Sequence, residues 1–293
     1  MQSTRTRLSY KPAQPGSCLL LSIVALMPLW ADSPANTPAA LFSVGSKQFN
    51  DHQFAAARES FSRVIELDAR NAKAYRALGM TDLELKDYQA AYQAWLKAVA
   101  LDPKDETSKY YLGRLFYQAD LANEAAAWLR EALKIAPEDF KATTYLGLCA
   151  EALGYDNTAV QLYRKAVAES EAQEKPYAEA YLNLGNFLRK EGNDEQALAV
   201  LQQGARKCPD AQELTALGEL LARRNETRRA EEALRQAIAL DPKLSQAHYR
   251  LALLLKSLGR ADEARREMAA FQEAKTVEDQ APKITALRKP ATP

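Results

Sequence analysis

Glycine recurs along this chain at a spacing typical of a repeated structural unit. Gly45, Gly79, Gly113 and Gly147 are evenly spaced. The series continues through Gly185, Gly218 and Ala252, and only the step from Gly147 to Gly185 is clearly longer than the others. A period of about 34 residues indicates one supersecondary unit that is built several times and stacked on its own copies.

Three further positions recur in step with these small residues. An aliphatic residue precedes each of them, an alanine follows twelve positions later, and a bulky side chain follows four positions after that alanine. The alanines are Ala57, Ala91, Ala125, Ala159, Ala197, Ala230 and Ala264, and the bulky residues are Phe61, Trp95, Leu129, Tyr163, Leu201, Leu234 and Met268. Each unit is predicted to be a pair of antiparallel amphipathic helices, because small residues let two helices approach and the bulky residue fills the gap beside them.

This period and residue pattern resemble the tetratricopeptide repeat. The resemblance covers about residues 38–271 and implies an all-α fold, a right-handed α-solenoid of about seven helix-turn-helix repeats. The predicted repeats are 38–71, 72–105, 106–139, 140–177, 178–210, 211–244 and 245–271. Since four residues make about one helical turn, the longer step in repeat four predicts a longer second helix there. Phe271 stands where earlier repeats have a small residue, and it predicts the end of the stack, with 272–293 as a flexible tail.

Residues 1–31 have the pattern of a secretory signal peptide. Arg5, Arg7 and Lys11 precede an apolar run over 18–27, and Ala31 is the predicted cleavage site. Residues 32–37 are then a short polar linker. The protein is expected to be exported, periplasmic or secreted, with no stable membrane span once the leader is removed. The alternative is a leader that stays attached and anchors the chain in the inner membrane, facing the periplasm.

The composition leaves little material for catalysis or for nucleic-acid binding. The formal net charge is +1, whereas nucleic-acid binding calls for a clustered basic excess. The two histidines, His52 and His248, are too few for most histidine-based metal or nucleophilic sites. Cys149 and Cys208 are expected to lie too far apart for a disulfide. We therefore expect no catalytic residues, no metal, no cofactor and no enzymatic activity.

In proteins that this chain resembles, the first helix of each repeat lines a concave groove. The resemblance places the second, fifth, sixth, ninth, twelfth and thirteenth positions of a repeat on that face, which we call groove positions. The candidates at these positions are Arg76, Met80, Tyr110, Arg114, Tyr117, Gln118, Lys141, Thr144, Asn183, Asn186, Arg189 and Lys190. Asparagine amides can bond a peptide backbone, and arginine or lysine can bind an acidic side chain or a terminal carboxylate. The alternative is that these residues are solvated and bind nothing.

The expected partner is another protein or an extended peptide, bound in this groove. The Lys/Asn set with which family members clamp chaperone tails does not occur in three successive repeats here, so a cytosolic co-chaperone is not expected. Together with the predicted leader, the resemblance predicts a bacterial envelope scaffold for assembly. The alternative is a module that recruits a polymer or glycan for a separate envelope enzyme. Basic groove residues favour a peptide over a glycan.

Overall fold

The computed structural model describes residues 36–280 and 284, and within them the fold is entirely α-helical. The predicted leader and residues 32–35 of the predicted linker therefore lie outside the described residues. The helices are α1 Pro38–Asn50, α2 Phe54–Leu67, α3 Ala72–Glu84, α4 Tyr88–Leu101, α5 Glu106–Gln118, α6 Ala122–Ile135, α7 Phe140–Ala152, α8 Asp156–Glu171, α9 Ala178–Lys190, α10 Asp194–Lys207, α11 Ala211–Arg223, α12 Thr227–Leu240, α13 Ser245–Ser257 and α14 Ala261–Gln280.

Helices pack in consecutive pairs, and each pair stacks on the next. The first helix of a pair packs most extensively on its second helix, and that second helix packs on the first helix of the following pair. First helices also contact one another, in the pairs α1–α3, α5–α7, α7–α9, α9–α11 and α11–α13, whereas no two second helices of the described chain pack to that extent. The stack therefore curves with its first helices on the inner side, which we call the concave face. The predicted all-α solenoid is confirmed.

The recurring glycines and bulky residues meet inside each pair. A Cβ on Gly79 would lie 2.5 Å from Nε1 of Trp95, and one on Gly113 would lie 2.6 Å from Cγ of Leu129. The same relationship joins Gly45 to Phe61, Gly147 to Tyr163, Gly185 to Leu201 and Gly218 to Leu234. A larger residue at any of these glycines would push the two helices of the pair apart. The glycines therefore recur in the sequence because every helix pair contains this close contact.

The turn inside each pair contains one residue in the left-handed region, seven positions after the small residue. Its φ lies between 58° and 78° in all seven repeats. Glycine is found there three times, at Gly154, Gly192 and Gly259, and the other repeats use His52, Lys86, Asp120 and Asn225. A residue with a Cβ is strained in this conformation, and glycine is not. The sequence analysis did not identify this position.

Two boundaries differ from the prediction. The second helix of repeat four does lengthen, to 16 residues against 14 for the other second helices up to α12, but the remaining inserted residues lie in the connection after it. The predicted flexible tail beginning at 272 is wrong over its first nine residues, because α14 continues as helix to Gln280. Phe271, in that helix, contacts Tyr249 with ring centroids 5.2 Å apart.

The apolar residue before each recurring small residue is most exposed in repeat one. Val44 in α1 is 47% exposed, Leu78 and Leu146 are half-buried, and the buried ones are Leu112, Leu184, Leu217 and Leu251. Each repeat thus depends on its neighbour to cover its apolar surface. Among residues 36–280, no helix combines the length and the apolarity that a membrane span needs. Cys149 is buried, Cys208 is half-buried, and both are free thiols.

Candidate binding site on the concave face

The predicted binding residues lie on four first helices, α3, α5, α7 and α9. They differ in whether their side chains already have hydrogen-bond or ion-pair partners within the protein. Arg76 donates to the Asp105 carboxylate over 3.0 Å. Asp105 is buried and caps the N-terminus of α5, accepting from the backbone N–H of Ser108 over 3.1 Å. Arg76 is therefore part of the connection between repeats two and three, and its charge is neutralised.

Tyrosines from repeats three and four form a wall on this face, which we call the tyrosine wall: Tyr110, Tyr111, Tyr117 and Tyr145. Tyr110 and Tyr117 both contact Tyr145 edge to face, with ring centroids 5.9 Å apart in each pair. Tyr111 stacks on Trp95 at 5.0 Å. Tyr110 and Tyr145 are buried, while Tyr111 and Tyr117 are half-buried. Burial raises the pKa of Tyr145 to about 12, so its phenol stays protonated and can donate.

Arg114 lies inside this wall and carries an unpaired charge. Its guanidinium carbon is 5.9 Å from the ring centroid of Tyr145. Throughout residues 36–280 no carboxylate forms an ion pair with this guanidinium, and its Nε is buried without a hydrogen-bond partner. Its close neighbours are tyrosines, and the carboxylate of Glu179 attracts it without forming an ion pair, so the guanidinium keeps an unsatisfied donor.

Glu179 of α9 is the acidic residue of this region, and the sequence analysis missed it. Its carboxylate accepts a hydrogen bond from the hydroxyl of Tyr177, and after burial its charge is the next cause that raises the pKa of Tyr145. Glu179 also attracts the charge of Arg114, although the two form no ion pair. Glu179 occupies the second position of repeat five, where the same rule that gave Lys141 in repeat four would have identified it.

Two predicted cations of repeat five are not free. Arg189 donates to Oε1 of Glu219 over 3.1 Å, and the other oxygen of Glu219 is 3.1 Å from Arg250 of repeat seven. Lys190 donates to Glu151 over 3.0 Å, and Glu151 also accepts from the hydroxyl of Tyr163 over 2.9 Å. These partners come from other repeats, so sequence spacing within one repeat could not reveal them.

The remaining predicted residues are divided between surface and core. Asn183 and Asn186 are half-buried, and Nδ2 of Asn183 is buried without a partner. Lys141 and Gln118 are exposed. The placement of Thr144 in the groove is wrong, because its side chain is fully buried and its hydroxyl donates to the carbonyl of Phe140 over 2.7 Å.

Two clefts open beside these residues. One, of about 660 Å³, lies between α5 and the start of α7, with Tyr110, Tyr111, Phe140 and Lys141 on its walls. The other, of about 260 Å³, lies between α1 and α3 and is lined by Phe42, Phe49, Met80, Lys73 and Arg76, among others. The sequence analysis identified only Met80 and Arg76 of the second cleft, although Phe42 and Phe49 occupy groove positions of repeat one.

The described residues contain no group of three or more His, Cys, Asp or Glu side chains placed to hold a metal ion. His248 is buried, with Nδ1 2.7 Å from Glu267 and Nε2 3.1 Å from the carbonyl oxygen of Pro242. Its ring therefore joins α13 to α14 and to the turn before α13.

Comparison with known proteins agrees with this geometry. A family model described as tetratricopeptide repeat matches residues 48–106, 83–140 and 215–278, and a second model of the same description matches 180–212. The CTR9 homologue of Arabidopsis thaliana is 26% identical over 75% of this chain, and the mouse superkiller complex protein 3 is 28% identical over 75%. The mouse protein O-mannosyl-transferase TMTC3 is 24% identical over 66%.

These relatives are much longer proteins. The chain spans 21% of the length of the CTR9 homologue, 14% of superkiller complex protein 3 and 19% of TMTC3. Among solved structures, the chain is similar to one from the crystal structure of the APC/C hetero-tetramer Cut9–Hcn1, with a TM-score of 0.68 and 21% identity over 77% of this chain and 44% of that one. This likeness concerns the fold. With the first family model matching more than half of its 293 residues, the chain belongs to the tetratricopeptide repeat family.

Proposed function

We propose that this protein is an exported, non-catalytic scaffold that binds an extended peptide carrying an acidic group, and that the acidic group binds Arg114. The unpaired charge of Arg114 in the tyrosine wall carries this proposal. A tetratricopeptide repeat scaffold is consistent with protein binding, and Arg114 is a cation of its concave face that forms no ion pair with the described residues.

The chemistry of Arg114 favours an anionic ligand. Its guanidinium presents N–H donors in a planar fork that matches a carboxylate, and paired arginine–carboxylate hydrogen bonds are stronger than those between neutral groups. The walls of tyrosine exclude water from part of the charge and strengthen its attraction for an anion. The carboxylate of Glu179 attracts Arg114, but it accepts from Tyr177 and forms no ion pair with the guanidinium, so the N–H donors of Arg114 remain available to a ligand.

The neighbouring first helix extends the surface along which a peptide can lie. Asn183 and Asn186 on α9 provide amides that can donate to and accept from a peptide backbone. The pairs Arg189–Glu219 and Lys190–Glu151 are charge-neutral, so they favour polar over strongly charged side chains there. The preferred ligand is thus acidic at Arg114 and neutral or polar towards repeat five.

Export is part of this proposal because of residues 1–31. Three basic residues, an apolar run and a small residue at its end are the features of a secretory signal. An exported scaffold without catalytic residues would hold components of the bacterial envelope during assembly. Fractionation of the producing cell tests this directly: the chain, shortened by its leader, is expected outside the cytoplasm, and a full-length cytoplasmic protein would contradict it.

The binding proposal is tested with a displayed library of random peptides that end in a free carboxylate. The parent chain should enrich peptides that share an acidic side chain or that bind through their C-terminus. Arg114→Gln keeps a planar polar group but removes the charge, and it should lose those peptides. The matched control is Arg130→Gln, an exposed arginine on the second helix of the same repeat.

The control separates loss of the site from loss of net charge. Arg130→Gln should enrich the same peptides as the parent, because it lies on α6 rather than on a first helix. If Arg114→Gln enriched the acidic peptides as strongly as the parent, the proposed role of Arg114 would be wrong. Circular dichroism of both variants verifies that each remains folded.

One observation favours a second candidate, a module that recruits a glycan or another envelope polymer. The larger cleft combines the rings of Tyr110, Tyr111 and Phe140 with the carboxyl groups of Glu106 and Glu138. Aromatic faces beside carboxylates are suited to sugars. Retention of the chain on envelope polysaccharide, lost in Phe140→Ala and kept in Arg114→Gln, would support this function instead of the first.

A further inference from the structure

One described residue beyond the last helix, Ile284, contacts the middle of the solenoid. Helix α14 ends at Gln280, and Ile284 follows shortly after it. Ile284 is half-buried and packs against the hydrophobic cluster of repeats two to four, which we call the central cluster. Its larger buried members are Tyr92, Trp95, Tyr110, Leu112, Leu115, Phe116, Leu129, Tyr145 and Cys149.

This contact does not follow from the stacking of repeats. A residue just after repeat seven would be expected to contact repeats six and seven, as Phe271 does with Tyr249. Repeats five, six and seven separate the central cluster from Ile284 along the chain. A branched aliphatic side chain is packed on the aromatic cluster to which Tyr110 and Tyr145 belong, the residues beside Arg114.

We propose that Ile284 acts as an internal ligand of the central cluster, and that a partner peptide binds there by displacing it. This inference rests on the proposed function, because it takes the surface beside Arg114 as the binding site. It also specifies the partner further: a segment with a branched aliphatic residue close to an acidic group.

The side chains of the tail can provide the apolar contact of a ligand at this site but not a carboxylate for Arg114. Residues 281–293 include Lys283, Arg288 and Lys289 but no aspartate or glutamate. Ile284 therefore supplies the apolar contact, while no tail side chain can neutralise Arg114. Covalent attachment gives the tail a high local concentration, which holds the site against weak ligands. A peptide that adds a carboxylate gains an interaction that the tail side chains lack, and it can therefore displace the tail.

The test uses a fluorescein-labelled synthetic peptide with the sequence of residues 281–290 and an amidated C-terminus, so that the peptide carries no carboxylate. It is titrated into the full chain and followed by anisotropy. The Ile284→Asn chain should bind this peptide at least about tenfold more tightly than the parent chain, whose own tail competes. A peptide with the same Ile284→Asn substitution should not bind either chain. Val277→Asn is the matched control, because Val277 is 62% exposed on α14, and that chain should bind like the parent.

Hydrogen–deuterium exchange provides a second readout that needs no added peptide. Amides of α5 and α7 should exchange faster in Ile284→Asn than in the parent, while those of α11 and α13 should be unchanged. Equal exchange in both chains, together with equal peptide affinity, would overturn the inference.

The two proposals can fail separately. Arg114→Gln should leave the affinity for the tail peptide unchanged, since the tail side chains bring no carboxylate, while it loses the acidic peptides. If acidic peptides bind through Arg114 but Ile284→Asn changes nothing, the tail inference alone is wrong. If the tail peptide binds and no acidic peptide does, the proposed function is wrong and the internal ligand stands.

Discussion

Leu129 fills the space that a side chain on Gly113 would need. A Cβ on Gly113 would lie 2.6 Å from Cγ of Leu129 and 3.2 Å from the backbone oxygen of Ala125, both on the facing helix. Neither atom can move far, because Leu129 is fully buried and the oxygen belongs to the backbone of α6.

The first prediction concerns this pair. Gly113→Leu should lower the free energy of unfolding by about 3 kcal/mol, through overpacking and displacement of α5 from α6. Adding Leu129→Ala should recover part of the loss, since it removes the side chain that clashes. Denaturant unfolding of the parent, the single and the double variant measures both effects. An unchanged midpoint for Gly113→Leu would contradict the packing.

A second prediction follows from a buried carboxyl group. The side chain of Glu213 is fully buried, its carboxyl has no hydrogen-bond partner in the described residues, and a Cβ on Gly204 would lie only 1.7 Å from its Oε1. Other repeats have alanine or serine at the position of Glu213, so the missing side chain of Gly204 makes room for this carboxyl. Burial, with a smaller contribution from the charge of Asp210, raises the pKa of Glu213 to about 8.

The direction of the pH dependence follows from that shift. Between the ordinary glutamate pKa of 4.5 and about 8, the unfolded chain has released this proton and the folded chain keeps it. The free energy of unfolding should therefore fall as pH rises through this window, by about 1.4 kcal/mol per pH unit from this group, and level off above it.

The double variant Gly204→Ala with Glu213→Ala should be more stable than the parent at pH 7. It restores the small residues of the other repeats and removes the buried acid, and its stability should lose this contribution to the pH dependence. Gly204→Ala alone should be strongly destabilising, because the new methyl group clashes with the carboxyl. Thermal unfolding between pH 5 and 9 compares the three chains, and a double variant with the parent's pH profile would contradict this account.

A third prediction concerns the left-handed turn residue. Lys86 has φ 61°, is exposed, and has no ion pair among the described residues. Lys86→Gly should therefore raise the free energy of unfolding by about 0.5–1 kcal/mol, since glycine adopts this conformation without strain. Lys97→Gly, inside α4, is the control and should lower it by about 1 kcal/mol. Destabilisation by both substitutions would mean that the turn is not strained.

A fourth prediction tests the charge network that neutralises the predicted groove cations. Glu219 binds both Arg189 and Arg250, and its side chain is 14% exposed. Glu219→Gln should cost about 1–2 kcal/mol of stability because it leaves two guanidinium groups without a carboxylate. It should also increase the capture of acidic peptides by repeats five to seven. Glu131→Gln removes an exposed pair with Lys134, and it should change stability by less than about 0.5 kcal/mol.

The sequence by itself determined the repeating architecture. The fixed spacing of a glycine, an alanine and a bulky residue predicts which residues meet inside each helix pair. The structure has these contacts, for example between Gly79 and Trp95 and between Gly113 and Leu129. These contacts are local, joining the two helices of one repeat, and they recur. The spacing of residues in the sequence is therefore enough to predict the contacts inside each repeat.

Only the tertiary structure decided which concave residues carry a free charge. Arg114 and Arg189 are both arginines at predicted groove positions, yet Arg189 has a carboxylate from α11 and Arg114 lies among tyrosines. The placement of Glu213 against Gly204, and of Ile284 on the central cluster, likewise joins different repeats. Partners of this kind depend on how the repeats stack and curve, which no period within a single repeat encodes.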